Sequence, residues 1–441
     1  MLIYDNLKTF SRIQPDKICL INGSTVLTYQ ELAGKVDSVA YRMANLIKKG
    51  DKLLIKLDNA VSQLCCLLGI ARLGAAAIIV DPSTPDKMCD DLMEKAGAIC
   101  CVDDKFCLPE DMVQTLPEVK PEDIFLGALS SGSTGSPKLI WRDHQSWVSA
   151  FAVQSRVFGL NGADTLFLSG SLIYTANLNS CLHLLHEGGT VVIAQNSLPR
   201  TWIKEINEYN VSAIFMVPAN YRTVVRAVET PLKKVKTLIS AGAKMDIETV
   251  KQLMRCFPQA GVCEYYGASE LGHITYSLTE DLLEHPGSVG KAFPNVKVWI
   301  EKDLIWVESP YVAPAYKPNA TIGDMGEMDE EGYLYLLGRE NNIINKGGFK
   351  IIPEHVEGII NRCPGITESV VIGIDDQIRG QKVAVWIIKS NSSLTVEDVK
   401  AYCRQNLPRH ACPQVFKFIE IIPRNNNGKV DRNKLKSSIQ K

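Results

Sequence analysis

Six short apolar runs constrain this chain most: residues 77–80, 99–102, 165–168, 190–194, 211–217 and 235–239. Each is too short for an ordinary helix and reads as a buried strand. Helical or loop segments separate them, which argues for layered α/β packing with mostly parallel sheets. The longest apolar stretch, 64–80, is broken by Arg72 and Gly74. It falls short of a bilayer span of roughly 20 residues and is expected to be a core helix running into a strand. Near the start, Thr28 and Glu31 have the spacing of a capping box. Leu32, Val36, Ala40, Met43 and Ile47 then recur at helical spacing, and Gly50 stands where the helix is expected to stop.

The apolar run 124–129 leads into a polar loop: Ser130, Ser131, Gly132, Ser133, Thr134, Gly135, Ser136, Pro137 and Lys138. Its glycines and hydroxyls offer backbone N–H groups and side-chain donors able to wrap a polyphosphate, and Lys138 adds a point charge. It serves the purpose of a Walker A loop without its spelling, because Pro137 precedes the lysine and Leu139, Ile140 and Trp141 follow it. Lys138 is therefore expected to enter a strand. Taken alone, such a loop also has a plainer reading, a solvated Ser/Gly turn between strands.

Three further stretches follow in order. The first runs from Glu264 through Tyr265, Tyr266, Gly267, Ala268 and Ser269 to Glu270. The second holds Gly323, Asp324, Met325 and Gly326, then 329–338 and Arg339. The third spans 423–431 and contains Gly428 and Lys429. Together with the Ser/Gly loop, these resemble the AMP-forming adenylating superfamily: acyl- and aryl-CoA synthetases, peptide-synthetase adenylation domains and luciferases. The resemblance covers nearly the whole chain.

It implies an α/β fold. A large N-terminal domain of layered sheets, with a small barrel-like portion, would precede a small, mobile α+β C-terminal domain carrying the catalytic lysine. At 441 residues the chain is long enough for two or more domains. The boundary is placed after Arg339, giving 1–339 and 340–441.

The implied chemistry is ATP-dependent activation of a small carboxylic acid to an acyl-adenylate, then thioester formation with coenzyme A. The alternative acceptor is the phosphopantetheine arm of an acyl carrier protein, which is chemically the same arm. By this resemblance, Ser130, Ser131, Gly132, Ser133, Thr134, Gly135 and Lys138 hold the β- and γ-phosphates. Tyr266 stacks on adenine beside Gly267, and Gly242 and Ala243 line the purine edge. Ser269 meets the α-phosphate region and Glu270 holds Mg²⁺. Asp324 accepts from the ribose hydroxyls with Arg339 nearby. Lys429 bridges carboxylate and α-phosphate, Asn341 is the hinge, and Gly347 and Gly348 line the thiol tunnel between Lys346 and Lys350. Without the resemblance, Lys429 is an ordinary loop lysine and Tyr266 a core aromatic.

Departures from the pattern bear on specificity. Ile322 stands where a threonine usually precedes Gly-Asp, with Thr321 one step earlier. No carboxylate lies between Ser169 and Ser180. A buried substrate ammonium would lack a counter-charge, and an α-amino acid is disfavoured. Tyr174, Thr175, Val217 and Ala241 are the expected acyl-pocket residues, although Tyr174 fits a core position as well. Lys244 and Arg222 lie near the pocket segments and are expected to face solvent. The N-terminal half looks trimmed, which hints at a small or medium acid.

Composition excludes other classes. A net charge of -1 offers no basic surface for nucleic acid. Thirteen cysteines without a Cys-x-x-Cys pair support neither a zinc knuckle nor a disulfide framework, and fit a reducing, cytoplasmic setting. No basic run followed by an apolar core opens the chain, so no secretory signal and no membrane span are expected.

Overall fold

The computed structural model describes residues 1–111, 115–130, 138–346, 349–376, 380–424 and 430–438. The buried apolar runs assemble two sheets. A nine-stranded sheet has a parallel centre: Gly261–Ala268, Thr237–Ala241, Ala213–Met216, Thr165–Leu168, Thr190–Ile193 and Ile18–Asn22, in that spatial order. Antiparallel strands finish both edges. A five-stranded sheet sets Cys100–Asp103, Lys52–Lys56, Ala76–Ile79 and Ile124–Ser130 parallel, with Lys138–Asp143 returning antiparallel at the edge. The near-continuous apolar spelling of these strands follows from burial on both faces.

One large core joins these sheets through the helices Tyr29–Met43, Ala60–Ala71 and Thr175–Glu187. The opposite face of the long sheet carries a second core, formed with helices Pro199–Glu208, Pro218–Ala227 and Ile247–Cys256. The stretch 64–80 is a helix, Ala60–Ala71, running into the strand Ala76–Ile79. Thr28 and Glu31 form the expected capping box. That helix stops at Met43, short of Gly50. Leu46 and Ile47 turn back onto the Met43 carbonyl, and Ile47 stays buried without continuing the helix.

A third, antiparallel sheet of five strands follows: Lys297–Glu301, Leu304–Glu308, Asn319–Ala320, Asp324–Met328 and Leu334–Arg339. The remaining residues build a smaller α+β unit. Its sheet takes Ile344–Lys346, Phe349–Ile351, Ile366–Asp376, Gly380–Lys389 and Val415–Phe418. Two core clusters, drawn from residues between Ile344 and Leu435, belong to it alone. The cysteines among the described residues are all free, most of them buried as small apolar groups. No helix among the described residues is long and apolar enough to cross a membrane.

Candidate active site

In open parallel sheets, ligands bind beyond the carboxyl ends of the strands, where neighbouring loops leave a crevice. Four adjacent strands of the long sheet end that way here. Thr165–Leu168 runs into Ser169, Ala213–Met216 into Val217, Thr237–Ala241 into Gly242, and Gly261–Ala268 into Ser269. Asn220 Nδ2 donates to Ser169 Oγ at 2.9 Å across two of these ends. Gly242 has φ +88°, a conformation that favours glycine, and a Cβ there would lie 3.9 Å from Val217 Cγ1. Val217, Gly242 and Ala243 are exposed, whereas Ala241 is buried. Gly267 is required where its hairpin shifts register, because a Cβ would meet the Gly272 carbonyl oxygen at 2.5 Å.

The third sheet delivers Asp324 to this edge. The Tyr266 hydroxyl donates to Asp324 Oδ2 at 2.6 Å. Arg339 Nε lies 2.8 Å from Oδ1, as an ion pair whose N–H is not aligned as a hydrogen bond. Asp324 is buried between these two partners. Burial, with the adjacent Asp324 charge, holds the Tyr266 hydroxyl protonated far above its ordinary range. Thr321 Oγ accepts from the Gly323 N–H at 3.2 Å, so the displaced threonine braces the Gly-Asp turn.

Ser269 Oγ lies 3.0 Å from Thr175 Oγ1, joining the Tyr-Gly-Ala-Ser-Glu strand end to the first residue of helix Thr175–Glu187. Tyr174, half-buried, precedes that helix, and burial raises its hydroxyl pKa. Glu270 is buried, and its carboxylate takes no hydrogen bond from a described side chain or backbone N–H. Lys138 does enter a strand, paired with Ser130 at the base of the hairpin. Its ammonium stands 5.2 Å from the Tyr316 ring centre, and the hydrogen bond to Tyr316 with the Glu270 charge beyond raises its pKa. Ser131, Gly132, Ser133, Thr134 and Gly135 lie outside the described residues, as do Gly347, Gly348 and Lys429 and the side chains of Ser130 and Asn341.

One organising residue escaped the sequence reading. Arg142 is buried on the strand Lys138–Asp143 and donates to the Ser269 carbonyl and the Tyr311 carbonyl, each at 2.7 Å. Its guanidinium also sits over Trp147 at 5.5 Å. Burial pushes its pKa down to about 10, with Asp143 and Glu270 opposing that shift. It therefore remains charged at neutral pH. An arginine directly after the apolar run Leu139, Ile140 and Trp141, in the strand that Lys138 opens, was the available signal.

One expectation is corrected. Lys244 does not face solvent alone: it pairs at 2.7 Å with buried Glu264, whose other oxygen accepts from the Met245 N–H. Arg222 does face solvent, where it pairs with the equally exposed Asp246 at 3.0 Å. Both cations are thus engaged in ion pairs. Lys346 likewise turns inward and donates to the His410 carbonyl at 2.7 Å. Beyond Arg339, Asn342 donates to Glu354 at 3.1 Å, and Arg432 lies 3.5 Å from both Glu354 and Glu357.

The model of AMP-binding enzymes matches residues 7–115 and 102–316. The chain belongs to that family. The family's C-terminal domain matches 355–429. The chain is 28% identical over 477 residues to the uncharacterized acyl–CoA ligase YhfT of Bacillus subtilis, covering 100% of this chain and 99% of the relative. It is 25% identical over 450 residues to the putative long chain fatty acid-CoA ligase VraA of Staphylococcus epidermidis, covering 99% and 98%. Among solved structures, the O-succinylbenzoate coenzyme A synthetase MenE of Bacillus subtilis, in complex with ATP and magnesium ion, superposes with TM-score 0.87 at 21% identity, covering 98% and 99%. A Mycobacterium tuberculosis fatty acyl CoA synthetase superposes with TM-score 0.80 at 22% identity, covering 99% and 98%. The fold is shared across these enzymes.

Proposed function

We propose that this AMP-binding enzyme activates a carboxylic acid with ATP and transfers the acyl group to the thiol of coenzyme A. One observation carries the reading. Asp324, linked to Tyr266 and Arg339, stands at the same sheet edge as the Ser269–Thr175 contact and a Glu270 carboxylate with no hydrogen bond from a described residue. The resemblance implies an ATP or acid contact for each of these, and the contacts of Tyr266 with Asp324 and of Ser269 with Thr175 at one strand end support that reading. The names of the relatives support an acid–CoA ligase, and the MenE complex supports ATP with magnesium.

In the first step, a carboxylate oxygen attacks the α-phosphorus of ATP, the bond to the β-phosphate oxygen breaks, and pyrophosphate leaves. The barrier lies in bringing two anions together, so positioning and charge stabilisation dominate. Asp324 and Arg339 hold the ribose, Tyr266 and Gly267 flank the adenine, and Gly242 and Ala243 border it. Ser130 to Gly135 with Lys138 take the outgoing phosphates. Glu270 fits Mg²⁺, which binds proteins through one or two carboxylates together with phosphate oxygens and would supply charge neutralisation there.

Lys429 meets both reacting anions in this step. The unit 340–441 then turns about Asn341, removing Lys429 and bringing Gly347 and Gly348 up to the site. The thiol attacks the acyl carbon, the acyl–phosphate bond breaks and AMP leaves. Tyr174, Thr175, Val217 and Ala241 border the acid. The free coenzyme is the favoured acceptor because the relatives are named as CoA ligases.

Lys429→Gln tests the assignment of the lysine. Acid-dependent pyrophosphate release should fall at least a hundredfold, while nucleotide affinity measured by calorimetry stays within a few-fold of the parent. Unchanged release would remove Lys429 from adenylation.

A further inference from the structure

The helix that begins at the candidate acid site carries a buried polar row. Thr175, Asn179 and His183 are spaced by four residues on Thr175–Glu187 and so share one face. Thr175 touches Ser269. Asn179 is 9% exposed, and its Oδ1 has no hydrogen-bond partner. His183 is 1% exposed, with Nε2 2.8 Å from Ser155 Oγ.

A second helix, Phe151–Phe158, presents its own face to this row. Phe151, Ser155 and Phe158 all meet His183. Gln154 falls on that same face by helical spacing, is 1% exposed, and leaves both Oε1 and Nε2 unpartnered. His273, on the neighbouring strand, packs against Phe158 at 6.3 Å and leaves Nε2 unpartnered.

Buried amides without partners are costly, and leucine would be the ordinary choice at such positions. The core these helices pack into is largely apolar, with Leu178, Leu182, Phe215, Ile239 and Tyr265 among its members. A site built for a plain alkyl tail has no use for unmet amides. The row starts at the Ser269 contact, and Asn179 lies about 6 Å further along the helix axis. Burial keeps His183 and His273 neutral, and Lys244 and Arg222 are paired elsewhere. These polar groups therefore suit a neutral hydrogen-bonding partner and not a second anion.

We infer that the acid is a compact hydroxylated one, whose hydroxyl sits a few atoms beyond the reacting carboxylate and is received by Asn179, with Gln154 and His183 behind it. This rests on the acid-activating reading and names its substrate class. A site of this kind discriminates strongly, because an acid lacking the hydroxyl leaves buried amides unpaired.

The test uses matched acids: hexanoate with 6-hydroxyhexanoate, and benzoate with 3- and 4-hydroxybenzoate. CoA thioester is followed with ATP and Mg²⁺, giving kcat/KM for each. The parent enzyme should favour the hydroxylated member of at least one pair tenfold or more. Asn179→Leu should cut that ratio at least tenfold, through loss of kcat/KM for the hydroxylated member. Preference for the plain acid in every pair overturns the inference, as does a variant that lowers both members equally, the signature of a row that only holds structural water. Should Asn179→Leu fail to fold, the parent's own ratios decide. Thioester from no acid at all is a different failure: it removes the acid–CoA ligase reading and this inference with it.

Discussion

Replacing Arg142 by methionine tests how the candidate site is held. The side chain makes two short charge-assisted bonds, to the Ser269 and Tyr311 carbonyls at 2.7 Å. Hydrogen bonds to charged groups contribute about 1.5–3 kcal/mol each, and both carbonyls would lose this donor. Methionine keeps most of the stem packing, so the loss is chiefly polar, at about 3–5 kcal/mol. For a domain of this size, at about 2 °C per kcal/mol, Tm should fall by about 6–10 °C. The second consequence is functional. Ser269 loses the anchor of its carbonyl, and a displacement of about 1 Å at a reacting centre costs roughly a hundredfold. Thermal melting and acid-dependent pyrophosphate release read the two effects. Arg142→Lys should fall between, since an ammonium lacks the planar fork that reaches both carbonyls. If Arg142→Met melts within 2 °C of the parent, by the same conversion, and releases pyrophosphate at an unchanged rate, the proposed anchoring is wrong.

Asp324→Asn keeps the shape and an acceptor for Tyr266 but loses the charge that faces Arg339 and that the proposed site directs at the ribose. ATP affinity by calorimetry should weaken about 10- to 100-fold, matching a charged hydrogen bond of about 1.5–3 kcal/mol. Unchanged affinity would take Asp324 out of the nucleotide site. The buried histidines set a pH limit. Burial lowers the pKa of His183 and His273 to about 3 and that of His144 and His186 to about 4, against an ordinary 6.5. The unfolded chain therefore takes up these protons first. Stability is retained above pH 6.5 and lost as pH falls towards 4, by up to about 1.4 kcal/mol per pH unit for each histidine. Urea midpoints between pH 8 and 5 should drop below 6.5, and a flat profile would contradict the buried neutral state.

Much of the large unit was legible because its strands are apolar on both faces. The run 165–168 is the strand Thr165–Leu168 itself, and 190–194 differs from Thr190–Ile193 by one residue. Segment 99–102 slid by a residue, since Ile99 is exposed while the strand is Cys100–Asp103. The helix Tyr29–Met43 was expected to run on towards Gly50 because Ile47 keeps helical spacing while being buried by a turn. Motif residues were legible one by one, but their links were not. Nothing local to Tyr266 signals a bond to Asp324, fifty-eight positions away. Arg142 acts across 127 positions, so only the folded chain reveals its target. The pairing of Lys244 with Glu264 was missed for the same reason. The polar row of Asn179 and His183 was within reach, because its four-residue spacing is local. It was read only as lacking a carboxylate.

The most direct test of the account is pyrophosphate release from ATP and Mg²⁺ across aliphatic, aryl, hydroxylated, dicarboxylic and amino acids, with and without coenzyme A. The account predicts slow release with one compact acid that becomes sustained turnover, with AMP and acyl-CoA formed, once coenzyme A is added. A single burst that coenzyme A does not relieve would contradict the choice of acceptor and point to a carrier protein. Silence across every acid, with ATP still bound, would contradict the enzyme's proposed activity.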